Sequence, residues 1–351
     1  MVEEQVLELG VTPIENTREK LREFNRLERV DVQPQLAVPT TSDADCGLVA
    51  QELCRIAGGG DQLEAAVARA IRKSYDQVYD GQRTGRFHWD QLSKTEKTNA
   101  GSLVEIWLAR ELCLADGVIL DFQIAGHEVD CKFSQRHGGW MLPPEVRDHI
   151  AMVITADDYL GTWSMGLVRV TPDRVSLATN RDAKTTLNRV GRESIDWLFR
   201  DAALPPNVLL QLPAADVVAI MKGTDTGSAV RPSGQKRLDE LFRRAEGQLI
   251  SRTVIETVAQ QSDSMKRVRS NGGSRSRLAS EGYVLLGHYQ AHREIAHRLG
   301  LPAAQSGEIV SVRLAPARDT PTGIVIEIAG SRWRRWAPGD DVVEVPTPPH
   351  T

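Results

Sequence analysis

The stretch Gly126-His127-Glu128-Val129-Asp130-Cys131-Lys132-Phe133 has the clearest structural pattern in the first half of the chain. Apolar and polar side chains alternate along it, which is the pattern of a β-strand whose two faces have different surroundings. The apolar side chains would face a core, while Asp130 and Lys132 would project together from the opposite face. Residues 118–124 are also strand-like, so the intervening turn Ala125-Gly126-His127 predicts a pair of adjacent strands.

Two more acidic residues could approach the side chains of Asp130 and Lys132. Asp121 lies nine residues upstream of Asp130 across the predicted turn, and Glu105 stands on a helix predicted over residues 97–114. Carboxylate oxygens hold Mg²⁺, and a bound metal polarises a phosphate and lowers the pKa of its water. A lysine beside carboxylates stays protonated and can stabilise charge on the phosphate. The set therefore suits metal-dependent hydrolysis of a phosphodiester bond.

The tripeptide Asp-x-Lys is a weak signal by itself. A solvated strand face accounts for it more often than a catalytic site does. The layout adds weight, because an acidic residue on a helix, a second one before a turn, and the tripeptide on an apolar strand occur together. The two explanations stay open on these residues alone.

The length and the pattern of elements predict two domains after an N-terminal extension. A single core rarely grows beyond roughly 250–300 residues, and the chain has 351. Strands near residues 151–155 and 163–170, with helices before them and a helix over 187–199, predict an α/β or α+β domain of nuclease size. The predicted parts are an extension at 1–44, an endonuclease-sized domain at 45–204 and a second domain at 205–351.

Basic residues concentrate in the second domain, although the whole chain is slightly acidic. The net charge is −4 at pH 7, yet residues 231–277 hold eleven Lys or Arg and five Asp or Glu. Such separation of charge is typical of a DNA-binding surface. Helices predicted at 251–260 and 262–269 have the spacing of a helix-turn-helix, whose second helix enters the major groove. A solvated basic face is the alternative. The cations expected to contact DNA are Lys266, Arg267, Arg269, Arg275 and Arg277.

The apolar segments of the sequence are short. None approaches the roughly 18–20 residues that span a bilayer, and residues 1–10 are acidic, unlike a signal peptide. We therefore expect a cytoplasmic protein with no membrane partner.

Several longer words of the sequence resemble NaeI-type (type IIE) restriction endonucleases. The resemblance covers most of residues 61–342 and rests on continuous sequence motifs rather than on scattered positions. These words include WDQLSKTEKT at 89–98, LVEI at 103–106, VDCKFSQR at 129–136, GGWM at 138–141, LPPNVLL at 204–210, MKR at 265–267 and LGHY at 286–289.

The resemblance implies a PD-(D/E)xK restriction-endonuclease-like first domain whose catalytic residues fall on Glu105, Asp121, Asp130 and Lys132. Asp121 and Asp130 would bind Mg²⁺, Glu105 would be an auxiliary ligand or orient water, and Lys132 would stabilise charge. It also implies a winged helix-turn-helix-like second domain of the catabolite-activator type, which binds a second DNA copy and activates cleavage at the first. The expected enzyme is a homodimer that cuts double-stranded DNA at a GC-rich palindrome such as GCCGGC.

Three other activities are weighed against this one. A non-catalytic helix-turn-helix regulator is the main alternative, although such a protein has no use for the acidic residues and lysine of the predicted site. The word Val78-Tyr79-Asp80-Gly81 is similar to the Lys-x-Asp-Gly word of DNA ligases, but it lacks the lysine that would accept AMP. A topoisomerase-like activity stays open, because the sequence excludes none of Tyr75, Tyr79, Tyr159, Tyr283 and Tyr289.

Overall fold

The computed structural model describes residues 43–222, 232–317 and 323–349. The predicted extension at 1–44 lies outside these residues apart from its last two. The helices of the described residues are α1 (Ala44–Ala57), α2 (Gly60–Tyr79), α3 (Gly81–Thr84), α4 (Lys94–Leu112), α5 (Arg189–Glu193), α6 (Val208–Gln211), α7 (Ala214–Lys222), α8 (Gly234–Arg244), α9 (Arg252–Ala259), α10 (Ser274–Ala279) and α11 (Gln290–Arg298). The strands are β1 (Ala115–Asp116), β2 (Phe122–Ile124), β3 (His127–Ser134), β4 (Ile150–Asp157), β5 (Thr162–Arg169), β6 (Asp196–Ala203), β7 (Leu249–Ile250), β8 (Tyr283–Leu286), β9 (Ile309–Pro316), β10 (Val325–Ile328) and β11 (Ser331–Arg335).

These elements form two compact units, each with its own sheet. The first unit comprises residues 43–78 and 88–205, and the second comprises residues 79–87 and the described residues from 206 onward. The segment 79–87 therefore belongs to the second unit, although it lies within the range proposed for the first domain. Its short helix α3 packs on α9, where Gln82 Nε2 donates to the carbonyl oxygen of Gln261 at 2.8 Å.

The first unit is built on a mixed six-stranded sheet in the order β1-β2-β3-β4-β5-β6. Neighbouring strands are antiparallel except β3 and β4, which run parallel with Asp130 beside Ala151. The inner strand β4 is buried along almost its whole length, and α1 and α4 pack against the sheet. Helices on a mixed sheet confirm the α/β class and are consistent with a restriction-endonuclease fold.

The turn between β2 and β3 is a two-residue hairpin. Ala125 and Gly126 both have positive φ, 52° and 82°, as the twist of a tight antiparallel hairpin requires. The pairing sets Phe122 opposite Val129 and Ile124 opposite His127. The predicted pair of strands is confirmed, and Asp121 is placed at the start of the strand that lies beside Asp130.

The helix that carries Glu105 begins with a capping box. Ser93 Oγ accepts from the backbone N–H of Glu96 at 3.4 Å, and the Glu96 carboxylate accepts from the backbone N–H of Ser93 at 2.9 Å. These bonds satisfy two amide groups that the first turn of a helix leaves without a partner. The helix predicted at 97–114 is thus confirmed, and it starts three residues earlier.

Two secondary-structure predictions in the first unit are wrong. The helix expected over 187–199 exists only at Arg189–Glu193, and the following residues form β6. That segment pairs with β5, a partner distant in sequence, and such pairing overrides local helix preference. The strand expected at 118–124 is reduced to Phe122–Ile124, because the amides of residues 118–120 donate to the Glu128 side chain instead.

The second unit contains a five-stranded sheet in which β10, β11, β9 and β7 are neighbours in that order and β8 also pairs with β9. The helix predicted at 251–260 is confirmed as α9. The helix predicted at 262–269 is wrong: Ser264–Val268 forms a 3₁₀ turn, and α10 begins later, after Gly273. In this sheet β11 lies between β9 and β10 and pairs antiparallel with both.

Within the described ranges, no helix combines the length and the apolar character needed to cross a membrane.

Candidate active site

The hairpin of β2 and β3 brings together the charged residues that the sequence singled out. Lys132 Nζ lies 2.6 Å from Asp130 Oδ1 and 3.4 Å from Asp121 Oδ2, so one ammonium group bridges two carboxylates. The same Nζ donates to the carbonyl oxygen of Cys131 at 3.1 Å. Asp130 and Lys132 share a strand face because they are two residues apart. We call Glu105, Asp121, Asp130 and Lys132 the acidic–lysine cluster.

Asp121 is held in place by the backbone of the neighbouring strand. Its Oδ2 atom accepts a hydrogen bond from the Cys131 N–H at 2.7 Å, in addition to its contact with Lys132. A hydrogen bond to an ionised carboxylate is shorter and stronger than one between neutral groups. The cross-strand bond therefore orients Asp121 toward Asp130 before any ligand is present.

Burial sets the electrostatics of this cluster. The side chain of Asp130 is 3% exposed, and desolvation raises its pKa to about 6 although the Lys132 charge opposes that rise. Burial alone would lower the pKa of Lys132, but the charges of Asp130 and Asp121 outweigh it and the pKa is raised. Lys132 therefore stays a cation at neutral pH, as the sequence analysis expected.

Glu105 reaches the cluster from α4, which packs against β3. Its pKa is raised, first by burial and then by the nearby charge of Asp121, while Lys132 opposes the rise. The structure therefore brings Lys132 into contact with Asp121 and Asp130, and Glu105 lies within range of their charges.

The donor set fits a hard cation. One oxygen of the buried Asp130 carboxylate, Oδ2, has no hydrogen-bond partner within the described part of the chain. A buried charged oxygen without a partner is costly, and a bound cation removes that cost. No group of three or more His, Cys, Asp or Glu side chains among the described residues is already arranged as a metal site. The fit therefore rests on the kind of donor and on the partnerless oxygen.

The predicted DNA contacts of the second unit lie in or near the 3₁₀ turn and α10, and we call residues 264–277 the basic segment. Lys266, Arg267 and Arg269 are exposed to solvent. Arg275 is half-buried, and this burial lowers its pKa. Arg277 donates from Nε to Asp239 Oδ2 at 2.7 Å. Four of the five cations are thus exposed, one of them, Arg277, within an ion pair, and Arg275 is half-buried.

Two carboxylates that sequence reasoning missed organise these regions. Glu128 accepts three backbone N–H groups just before Asp121, and the nearly buried Asp239 accepts from Ser274, Gln235 and Arg277. No local pattern marks either residue, because the partners of each are brought close only by folding. Of the tyrosines left open by the sequence, Tyr75, Tyr79 and Tyr159 are buried.

Comparison with known proteins identifies the family of the chain. The family described as "Restriction endonuclease NaeI" matches residues 49–344 of the chain. The chain is also 47% identical over 283 residues to the "Type II restriction enzyme NaeI" of Lentzea aerocolonigenes, an alignment that covers 80% of this chain and 88% of that protein. A non-catalytic regulator is therefore set aside. The chain belongs to the NaeI family and is a type II restriction endonuclease that cleaves DNA at specific sites.

Proposed function

We propose that the acidic–lysine cluster is the catalytic centre and that it hydrolyses phosphodiester bonds with the help of Mg²⁺. The observation that carries this proposal is the Lys132 ammonium group held between Asp130 and Asp121, with a second Asp130 oxygen that has no partner among the described residues. A carboxylate pair beside a cation is the arrangement that metal-assisted phosphoryl chemistry needs.

Asp121 and Asp130 would hold the metal, and Glu105 would be an auxiliary ligand or orient water. Mg²⁺ bound there would polarise the scissile phosphate and lower the pKa of a water molecule. The oxygen donors of these side chains favour a hard cation. Cys131 keeps Asp121 directed at the site through its backbone N–H.

Lys132 is proposed to stabilise the negative charge that develops on the phosphate. Its pKa is raised, and its Nζ already lies within contact of both carboxylates, so the cation is present and oriented before DNA binds. A preorganised charge costs no reorganisation during the reaction, which is why such groups contribute strongly to rate.

The second unit is proposed to be a winged helix-turn-helix domain that binds DNA. The element order α8, β7, α9, α10, β8 and β9, with β9 between the other two strands, is typical of that class and supports the proposal. The exposed Lys266, Arg267 and Arg269 provide positive charge for phosphates or base edges. Arg275 and Arg277 are proposed as further contacts.

The finer features of the activity follow from family membership and remain part of the proposal. We propose cleavage of double-stranded DNA at a GC-rich palindrome such as GCCGGC, and activation by a second DNA copy bound to the second unit. A palindrome cut on both strands presents two sites related by a two-fold axis, so a homodimer is proposed.

The test is digestion of a plasmid that carries GCCGGC, followed by sequencing of the ends. We expect cutting with Mg²⁺ or Mn²⁺ at that sequence and no cutting with Ca²⁺ or with excess EDTA. Ca²⁺ binds oxygen donors in a looser geometry, which supports binding but not chemistry. Full activity in EDTA would remove the metal from the proposal, and ends at another sequence would remove the proposed specificity.

A further inference from the structure

We propose that Glu128 is a positioning residue for the nuclease reaction, because its carboxylate fixes the turn that presents Asp121. The proposal rests on the proposed role of Asp121 in metal binding. Glu128 lies two residues before Asp130 on β3, so the two side chains start from the same strand face.

The Glu128 carboxylate is the centre of three consecutive hydrogen bonds. Its Oε1 atom accepts from the N–H of Val118 at 2.9 Å. Its Oε2 atom accepts from the N–H of Ile119 at 3.0 Å and from that of Leu120 at 2.8 Å. Backbone N–H groups that converge in this way form an anion-binding concavity. Here the anion is a side chain of the neighbouring strand.

These bonds act on the residues directly before Asp121. Residues 117–121 form the turn between β1 and β2, and we call them the 117–121 turn. Gly117 N donates to the Asp121 carbonyl oxygen at 3.3 Å and closes the turn. A Cβ on Gly117 would lie 2.3 Å from the Leu120 carbonyl oxygen and 2.7 Å from Glu128 Oε2, so the turn leaves no room for a side chain there.

The outer part of the turn has little else to hold it. Val118 and Ile119 are 86% and 61% exposed, so apolar packing contributes little at those two positions. Leu120 is buried and belongs to the core that includes Trp140 and Leu142. Without the carboxylate, the three amides would turn to water, and the polypeptide entering Asp121 would be held by Leu120 and by the bond from Gly117 N to the Asp121 carbonyl oxygen.

Glu128 is better placed to position Asp121 than to bind a metal. Both of its oxygens are already engaged by backbone amides, whereas Asp130 Oδ2 has no partner in the described chain. Groups that orient metal ligands typically change metal affinity or activity by about 10–100-fold when they are removed. A small displacement of a catalytic group can cost about 10²-fold in rate.

The test combines hydrogen exchange with kinetics on Glu128→Ala and Glu128→Gln. In Glu128→Ala, we expect the amides of Val118, Ile119 and Leu120 to exchange at least ~10-fold faster, with β4 amides unchanged. We expect kcat to fall about 10–100-fold and the half-saturating Mg²⁺ concentration to rise, with little change in KM for DNA. Glu128→Gln should fall between Ala and wild type, since its one carbonyl oxygen can still accept from Ile119 and Leu120.

Asp157→Ala is the matched control. Asp157 Oδ1 also accepts two loop amides of the first unit, from Tyr159 at 2.9 Å and from Leu160 at 3.0 Å. Its removal should accelerate local exchange and lower the melting temperature without changing the Mg²⁺ dependence. A like change in the Mg²⁺ dependence of Asp157→Ala would overturn the proposal, because loosening any loop would then suffice.

Two other results would overturn it. If the three amides exchange faster while kcat and the Mg²⁺ dependence stay at wild-type values, the turn does not position Asp121. If activity falls while the amides stay protected, Glu128 acts directly on the reaction. Asp121→Ala is measured in parallel: normal cutting by that variant would refute the catalytic role of Asp121, whereas the exchange data report the Glu128 bonds in either case.

Discussion

The acidic–lysine cluster and the basic segment are both rich in charged residues, but these residues differ in burial and in their partners. In the cluster, one lysine lies against two carboxylates, and burial raises the pKa of Asp130 to about 6. In the basic segment, four of the five cations are exposed to solvent, and one of these, Arg277, is paired with Asp239. The charged side chains of the cluster contact one another, whereas most of those in the basic segment face water.

Residue type alone therefore does not identify a functional charge. Lys132 and Arg277 are each paired with a buried aspartate, but of these two carboxylates only that of Asp130 has an oxygen without a partner in the described part of the chain. Asp239 instead joins Ser274 and Arg277 of α10 to α8. The ion pair of Arg277 and Asp239 therefore links α10 to α8, and a role of Arg277 in DNA binding stays a proposal.

The largest expected effect is on the cluster. Lys132→Ala and Asp130→Ala should each lower the cleavage rate by about 10³-fold or more, because each removes charge stabilisation or a metal ligand. Binding of DNA should persist, which a gel-shift measurement in Ca²⁺ checks. Lys73→Ala is the control, since Lys73 is a half-exposed lysine of the same unit paired with Glu111. Near-normal cutting by both variants would contradict the catalytic assignment.

The next effect concerns activation through the basic segment. Replacement of Lys266, Arg267 and Arg269 together by alanine should abolish the stimulation that an added duplex gives to cleavage of a one-site plasmid. Coupling of this kind is typically about 5–150-fold in affinity. Cutting in the absence of added duplex should be retained, because the cluster is unchanged.

The control for the triple variant removes exposed charge from the same unit outside the segment. Arg293 and Arg298 lie exposed on α11, and their joint replacement by alanine should leave the stimulation in place. If one-site plasmids are cut as fast as multi-site plasmids and do not respond to duplex, the second unit serves only to anchor DNA.

A smaller effect compares Arg277, which is paired with the buried Asp239, with the exposed Lys266. Arg277→Ala removes a partner of the buried Asp239 and should destabilise the protein by roughly 1–3 kcal/mol, measured by denaturant unfolding. Lys266→Ala should change stability by less than about 0.5 kcal/mol. It should instead reduce the slope of log affinity against log salt by about 1. Equal stability of the two variants would show that the ion pair of Arg277 and Asp239 does not stabilise the protein.

The smallest effect compares a glycine of α4, the helix that carries Glu105, with a glycine of the basic segment. Gly101 lies inside α4, and a Cβ there would meet nothing within 4 Å, so Gly101→Ala should stabilise the protein by about 0.5–1 kcal/mol. Gly273 precedes α10, and a Cβ there would lie 2.5 Å from the Arg269 carbonyl oxygen. Gly273→Ala should therefore lower the melting temperature while Gly101→Ala raises it. A shift of the same sign in both would contradict the packing described for the basic segment.

The sequence predicted the hairpin and its charged residues because the information is local. Alternation along β3 places Asp130 and Lys132 on one face, and the Gly126 turn brings the strand after Asp121 beside them. Glu105 was predicted on a helix over residues 97–114, and the structure places it in α4. The sequence motifs that resemble NaeI-type restriction endonucleases predicted the family that the comparisons show.

Other features depend on partners that are distant in the chain, and the local pattern could not predict them. Residues 196–199, predicted as helix, form part of a strand because β5 supplies the hydrogen-bonding partner. The amides of residues 118–120 left the strand because Glu128 accepted them, and Arg277 was paired because α8 placed Asp239 beside it. Local preferences come from neighbouring residues, and they favour one conformation by about 1 kcal/mol or less per residue. A hydrogen bond or ion pair between residues distant in sequence contributes a free energy of similar size. The final conformation of such a segment is therefore set only when its tertiary contacts form.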